Sequence, residues 1–159
     1  MATSTKVDTK KVAGRRRLHF DTVEELLADA EKMATGNSTT LGNWSRGQIY
    51  RHLGETMNQS IDGVDINPPW LFKIMGRVLK RRFLTKPMPA GFQLPKSTKL
   101  LPPEISLEDG LQYLRDAVAR LQNETKRSDS PMLGKMTSDD WTRLHCRHAE
   151  HHLSYIVRQ

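Results

Sequence analysis

An all-α four-helix bundle is the fold this chain predicts, and three observations carry the prediction. Apolar residues recur at three- and four-residue spacing in four long stretches. Each stretch opens on a residue pair suited to capping a helix. No stretch shows the strict alternation of a half-buried strand, and no internal repeat is present.

The first helix carries Val23, Leu26, Leu27, Ala30, Met33 and Ala34 on one face, with Asp21 and Glu24 as its capping pair and Gly36-Asn37 as its stop. A loop from Asn37 to Asn43 leads to a capping box of Ser45 and Gln48. That box opens a second helix with Ile49, Leu53, Met57 and Ile61 as its stripe, ended by Gly63 and Pro68-Pro69. A short extra helix spans Trp70 to about Phe83, with Leu71, Met75, Val78 and Leu79 on its apolar side. The next stretch, Thr85 to Pro103, holds Pro87, Pro89, Pro95, Pro102 and Pro103, which excludes a helix or central strand. This long loop also carries Met88, Phe92, Leu94 and Leu100, so part of it is expected to pack near the open end of the bundle. Ser106 and Asp109 cap a helix with Leu107, Leu111, Leu114, Val118 and Leu121. Thr137 and Asp140 cap the last, which is expected to run to the end of the chain.

The length of 159 residues fits one domain, with enough chain to bury a core without staples. Net charge is +7, unevenly placed. Residues 1–17 hold Lys6, Lys10, Lys11, Arg15, Arg16 and Arg17 against Asp8 alone, and residues 73–86 hold six cations and no acid. The first segment reads as a disordered basic tail, leaving 18–159 as the single domain. The second reads as a solvated face, so no nucleic-acid partner is expected. The single Cys146 excludes an internal disulfide framework and points to a reducing compartment. No run is long enough to span a membrane, and His19-Phe20-Asp21 stands where a secretory signal would need its apolar core. A cytoplasmic protein without a membrane partner is expected.

Chemistry concentrates in the last fifteen residues, which hold four of the six histidines: His145, His148, His151 and His152. A helix turns about 100° per residue, so His148 and His152 share a face one turn apart and can point at one metal ion. That face also carries Trp141, Leu144 and Tyr155, while Arg143, Arg147, Glu150 and Ser154 face the other way. A desolvated imidazole needs a partner, supplied by a metal or by an ordinary core hydrogen bond. His145, His148 and His152 form an alternative ligand set on one helix. On the second helix His52 is level with Gln48, Thr56 and Gln59, polar neighbours that suit a wet pocket. It reads equally as a third ligand or as an interfacial histidine bonded to a carbonyl or water. Three histidines would leave one coordination position open, the pattern of catalytic sites. Neutral imidazoles favour Zn²⁺ or Ni²⁺ over Mg²⁺ or Ca²⁺. Cys146 lies about 160° from His148 and is read as a packing residue, and Glu150 as outward. Gln48 is absorbed by its capping box; Glu55 is a candidate neighbour of His52, and Tyr155 a candidate hydrogen-bond donor into the pocket.

Gly42-Asn43-Trp44-Ser45-Arg46-Gly47-Gln48-Ile49-Tyr50-Arg51-His52-Leu53, followed by His148-Ala149-Glu150-His151-His152, resembles the DinB/YfiT-like superfamily. The segments Gly91–Pro95, Met132–Met136 and Trp141–His145 resemble one uncharacterised bacterial branch of it, and the resemblance covers roughly residues 16 to 159. It implies a four-helix bundle, often a homodimer, with a metal on His52, His148 and His152. It also implies thiol-dependent transferase or hydrolase-like chemistry on a small molecule, with a low-molecular-weight thiol as co-substrate. The non-catalytic alternative is a metal-binding or stress-associated module. Many relatives read Gly-Gln after the last ligand, where this chain has Leu153-Ser154-Tyr155, so the pocket wall differs there. The short helix, rich in apolar residues, is the expected dimer face.

Overall fold

A computed structural model describes residues 6–92 and 102–159. Among them are five helices and one small antiparallel sheet: α1 (Val23–Ala34), β1 (Ser38–Thr40), α2 (Arg46–Asp62), α3 (Trp70–Thr85), α4 (Leu107–Asn123), α5 (Ser138–Leu153) and β2 (Ile156–Arg158). The molecule is therefore mostly helical. No helix among the described residues is long and apolar enough to cross a membrane.

Three capping pairs stand where the sequence places them. Ser45 and Gln48 form a reciprocal box on α2, Thr137 and Asp140 another on α5, and the Ser106 hydroxyl accepts from the Asp109 amide on α4. The α1 cap is one residue later than expected: Thr22 accepts from the Glu25 amide, while the Glu25 carboxylate reaches back to the Asp21 amide. Aspartate and threonine both cap well, so the adjacent pair left the choice to packing.

One apolar core joins α1, α2, α4 and α5 through Leu26, Ala30, Tyr50, Leu53, Met57, Leu114, Val118, Ala149 and Leu153. Each fully buried leucine among them contributes about 2 kcal/mol. The most extensive contact is between α2 and α4, where glycines let the backbones touch. A Cβ on Gly47 would meet the Ser106 and Ile105 carbonyls at 2.5 and 2.6 Å, and one on Gly110 would meet the Gly47 Cα at 2.7 Å. A second cluster, Leu84, Leu133, Met136 and Trp141, seats α3 against α5.

Three expectations need correction, and a fourth point, the seating of α3, is added by the structure. First, α5 ends at Leu153, and the chain goes on as β2, paired with β1 in the register Ser38–Arg158, Thr39–Val157 and Thr40–Ile156. Three-residue strands are too short to show alternation, and their β-branched residues were the only signal. Second, the stripe Leu71, Met75, Val78 and Leu79 of α3, read as a dimer face, is exposed among the described residues, and the helix seats on Gly76 and Leu84, where a Cβ on Gly76 would collide with the Met132 carbonyl.

Third, the basic segment is docked: Val7 exchanges hydrogen bonds with the Asn43 side chain, and the Thr9 carbonyl accepts from the Tyr155 hydroxyl. Arg16 forms a two-pronged pair with Asp29 at 2.7 and 2.8 Å and donates to the Ile156 and Leu153 carbonyls, and Arg15 donates to Ser154 Oγ. Fourth, the chain from Arg15 to Phe20 covers Arg147, Glu150 and Ser154 on the face of α5 expected to meet solvent, and of the four residues named there Arg143 alone stays exposed. Glu150 is 5% exposed, accepts from the Phe20 amide at 2.7 Å and pairs with Arg147 at 2.6 Å. A run of charges on one face signals solvent only while no chain lies over it. In the long loop, Lys86–Phe92 is described, whereas Gln93, Leu94, Pro95 and Leu100 lie outside the described residues.

Candidate metal centre

His52, His148 and His152 converge. Leu53 on α2, and Ala149 and Leu153 on α5, are buried in the common core, which holds the neighbouring histidines toward one space between the two helices. Ring centroids are 4.9 Å apart for His52 and His148, 4.7 Å for His52 and His152, and 4.6 Å for His148 and His152. The rings meet nearly at right angles, and one nitrogen from each lies within 4.8 Å of the others. Two nitrogens on a tetrahedral zinc lie roughly 3.3 Å apart. The closest pair, His52 Nε2 and His148 Nε2, is at 3.1 Å.

Hydrogen bonding fixes which His148 nitrogen is bare. The Thr56 hydroxyl donates its one proton to the Leu53 carbonyl at 2.9 Å, so its oxygen can only accept from His148 Nδ1 at 3.4 Å. His148 therefore carries hydrogen on Nδ1 and a lone pair on Nε2, the nitrogen facing His52. An outer hydrogen bond of this kind is how a metal-binding histidine is usually oriented. Trp44 completes the wall, stacked on His152 at 5.3 Å and edge-on to His52 at 5.0 Å.

All three imidazoles are held neutral. Burial lowers the His52 pKa to about 4, with Glu55 opposing weakly. Burial and then the neighbouring imidazoles push His148 and His152 well below the ordinary value. Lone pairs are thus available at neutral pH, as a metal requires.

The remaining candidates separate clearly. His145 and His151 line the same cavity, both buried, with pKa lowered by burial to about 3 and about 4. His145 Nε2 lies 3.1 Å from Ser60 Oγ, whose proton goes to the Met57 carbonyl, so Nε2 is the donor. This bond commits the Nε2 of His145, whereas the geometry brings His52 to the pair. His151 Nδ1 is buried without a hydrogen-bond partner among the described residues. Tyr155 does not donate into the pocket: its hydroxyl gives to the Thr9 carbonyl and receives from the Gly91 amide. Gln48 is held by the cap and the Pro102 carbonyl, and Glu55 by Tyr113 and Arg51. Cys146 is buried in the core, its thiol pushed up to about 11 by desolvation. Glu150, raised by burial, lies behind the helix with Phe20 and Arg147.

Thr56 was read from sequence only as a polar neighbour of His52, and Trp44 was given no role at the site. Thr56 is four residues after His52, hence on its face, and Trp44 precedes the α2 cap where an apolar residue staples the first turn. The histidines open onto a cavity of about 610 Å³. Met88 and Phe92 of the loop line it, as do Phe72 and Phe83 of α3.

The sequence profile of a family described as "Protein of unknown function (DUF1569)" matches residues 12–159, so the chain belongs to that family. No curated protein and no solved structure matches it significantly.

Proposed function

We propose that this member of the DUF1569 family is a metal-dependent enzyme acting on a small molecule, with a zinc or nickel ion on His52, His148 and His152. The observation that supports it most is the convergence of three neutral imidazoles within 4.8 Å beside a large cavity. We read the fold as a four-helix bundle of α1, α2, α4 and α5 of the DinB/YfiT-like kind, with α3 added. The residues fit a divalent ion: His148 Nε2 is a bare donor held in place by Thr56, and His52 Nε2 faces it at a separation one ion can span.

Such an ion, with one position left open, lowers the pKa of a bound water or thiol and polarises an electrophile. The chain's own groups supply the rest. Trp44 covers two of the rings and limits water at the site. Asp129, exposed, is the one carboxylate among the described lining residues. No buried carboxylate stands among the described lining residues, so a bound water or a low-molecular-weight thiol would depend on the ion itself for its activation. The single buried cysteine accords with a reducing compartment such as the cytoplasm. Elemental analysis after incubation with Zn²⁺ or Ni²⁺ and gel filtration tests the proposal: about one equivalent is expected for a three-ligand site. Stoichiometry near zero with both ions overturns it.

A further inference from the structure

The cavity beside the histidines is larger and drier than a site for a small polar substrate requires. Its volume of about 610 Å³ is in the range of pockets that enclose drug-sized ligands. At ~30 Å³ for each water-sized atom, it holds roughly 20 non-hydrogen atoms. Its wall comes from four separate segments: Ile66 before α3, Phe72 and Phe83 on α3, Leu133 in the turn before α5, and Trp141 and Leu144 on α5. The formal charges among the described lining residues, Lys6 and Asp129, are on exposed side chains, so charge is confined to the solvent side.

We infer that the site takes a ligand with a bulky hydrocarbon body, aliphatic or aromatic, and one polar head placed at the three histidines. The apolar wall provides affinity in proportion to the hydrocarbon it covers, while a charged body would lose its hydration and find no buried counter-ion among the described lining residues. A sugar, nucleotide or amino-acid substrate would leave unpaired whichever of its polar groups lay against Phe72, Phe83 and Leu133. The inference rests on the metal-centre reading only for the position of the head. The body follows from the wall.

A homologous series of n-alkyl hydroxamic acids, from two to twelve carbons, tests this by calorimetry on the zinc-loaded protein. Affinity is expected to rise about fourfold per methylene until the cavity is full, then level off. Leu144→Trp, which narrows the wall, should make the series level off at a shorter chain, with circular dichroism confirming that the variant folds. Straight-chain 1-alkanols, titrated against metal-free protein, isolate the body from the head. A chain-length slope in the alkanols, with hydroxamates no tighter than alkanols, would support the apolar body and overturn the metal centre. Affinity independent of chain length in both series would overturn the inference, however tightly the short hydroxamates bind.

Discussion

Replacing Thr56 by valine removes the acceptor for His148 Nδ1, together with the O–H that bonds the Leu53 carbonyl, and changes little in shape. The Thr56 hydroxyl proton is committed to the Leu53 carbonyl, so the oxygen receives the His148 Nδ1 hydrogen at 3.4 Å. Valine keeps the branched shape but leaves that N–H unpaired in a buried site, and nothing then holds the hydrogen on Nδ1 and the lone pair on Nε2. Loss of such an outer partner weakens metal binding by about 10- to 100-fold. A bond of 3.4 Å is long, which favours the lower end, about tenfold or ~1.4 kcal/mol. Zinc affinity by chelator competition is the assay, with Thr56→Ser, which retains the oxygen, expected to remain near wild type. If Thr56→Val binds zinc within twofold of wild type, the assignment of the His148 nitrogens is wrong.

Three further outcomes follow from the packing and the charges. Gly110→Ala should destabilise the protein by about 1–3 kcal/mol, read as a lower urea midpoint, because its Cβ would press on the Gly47 backbone and part α2 from α4; an unchanged or higher midpoint, as helix propensity alone predicts, contradicts the close crossing. Metal-free protein should lose stability as pH falls from about 6.5 toward 4: the unfolded chain takes up protons at His145 and His151 near 6.5, which the folded protein refuses until about 3 and about 4. Each pH unit in that window costs up to about 1.4 kcal/mol per histidine, and urea midpoints equal at pH 7 and 5 would refute it. The outer face of α3, with Trp70 72% and Val78 76% exposed, should form a homodimer that Val78→Asp dissociates. Light scattering decides it, and a wild-type mass of 18.2 kDa at all micromolar concentrations rules the dimer out.

The helices were legible because their stripes and caps are local. Ser45–Gln48, Ser106–Asp109 and Thr137–Asp140 each close their own hydrogen bonds, and no distant residue needs to be known. The histidine face of α5 was legible for the same reason: His148 and His152 are one turn apart whatever surrounds them. What covers an element was not legible. Arg147 and Glu150 read as solvated until the segment around Phe20 is seen to lie over them, and that α3 meets the rest of the fold through Gly76 and Leu84 rather than through Leu71 and Val78 depends on the residues opposite it. Strands β1 and β2 find each other across more than a hundred residues, a pairing that three-residue segments do not announce. The orienting role of Thr56 depends on where its single proton goes, which only the geometry reveals.

The central claim, that His52, His148 and His152 hold one metal together, is tested most directly by the metal content of the three single alanine variants beside His145→Ala and His151→Ala. The account predicts that the first three lose stoichiometric zinc or nickel while keeping the wild-type helical signal, and that the last two retain it. Full metal in any of the first three, or its loss only in His145→Ala or His151→Ala, would contradict the ligand set.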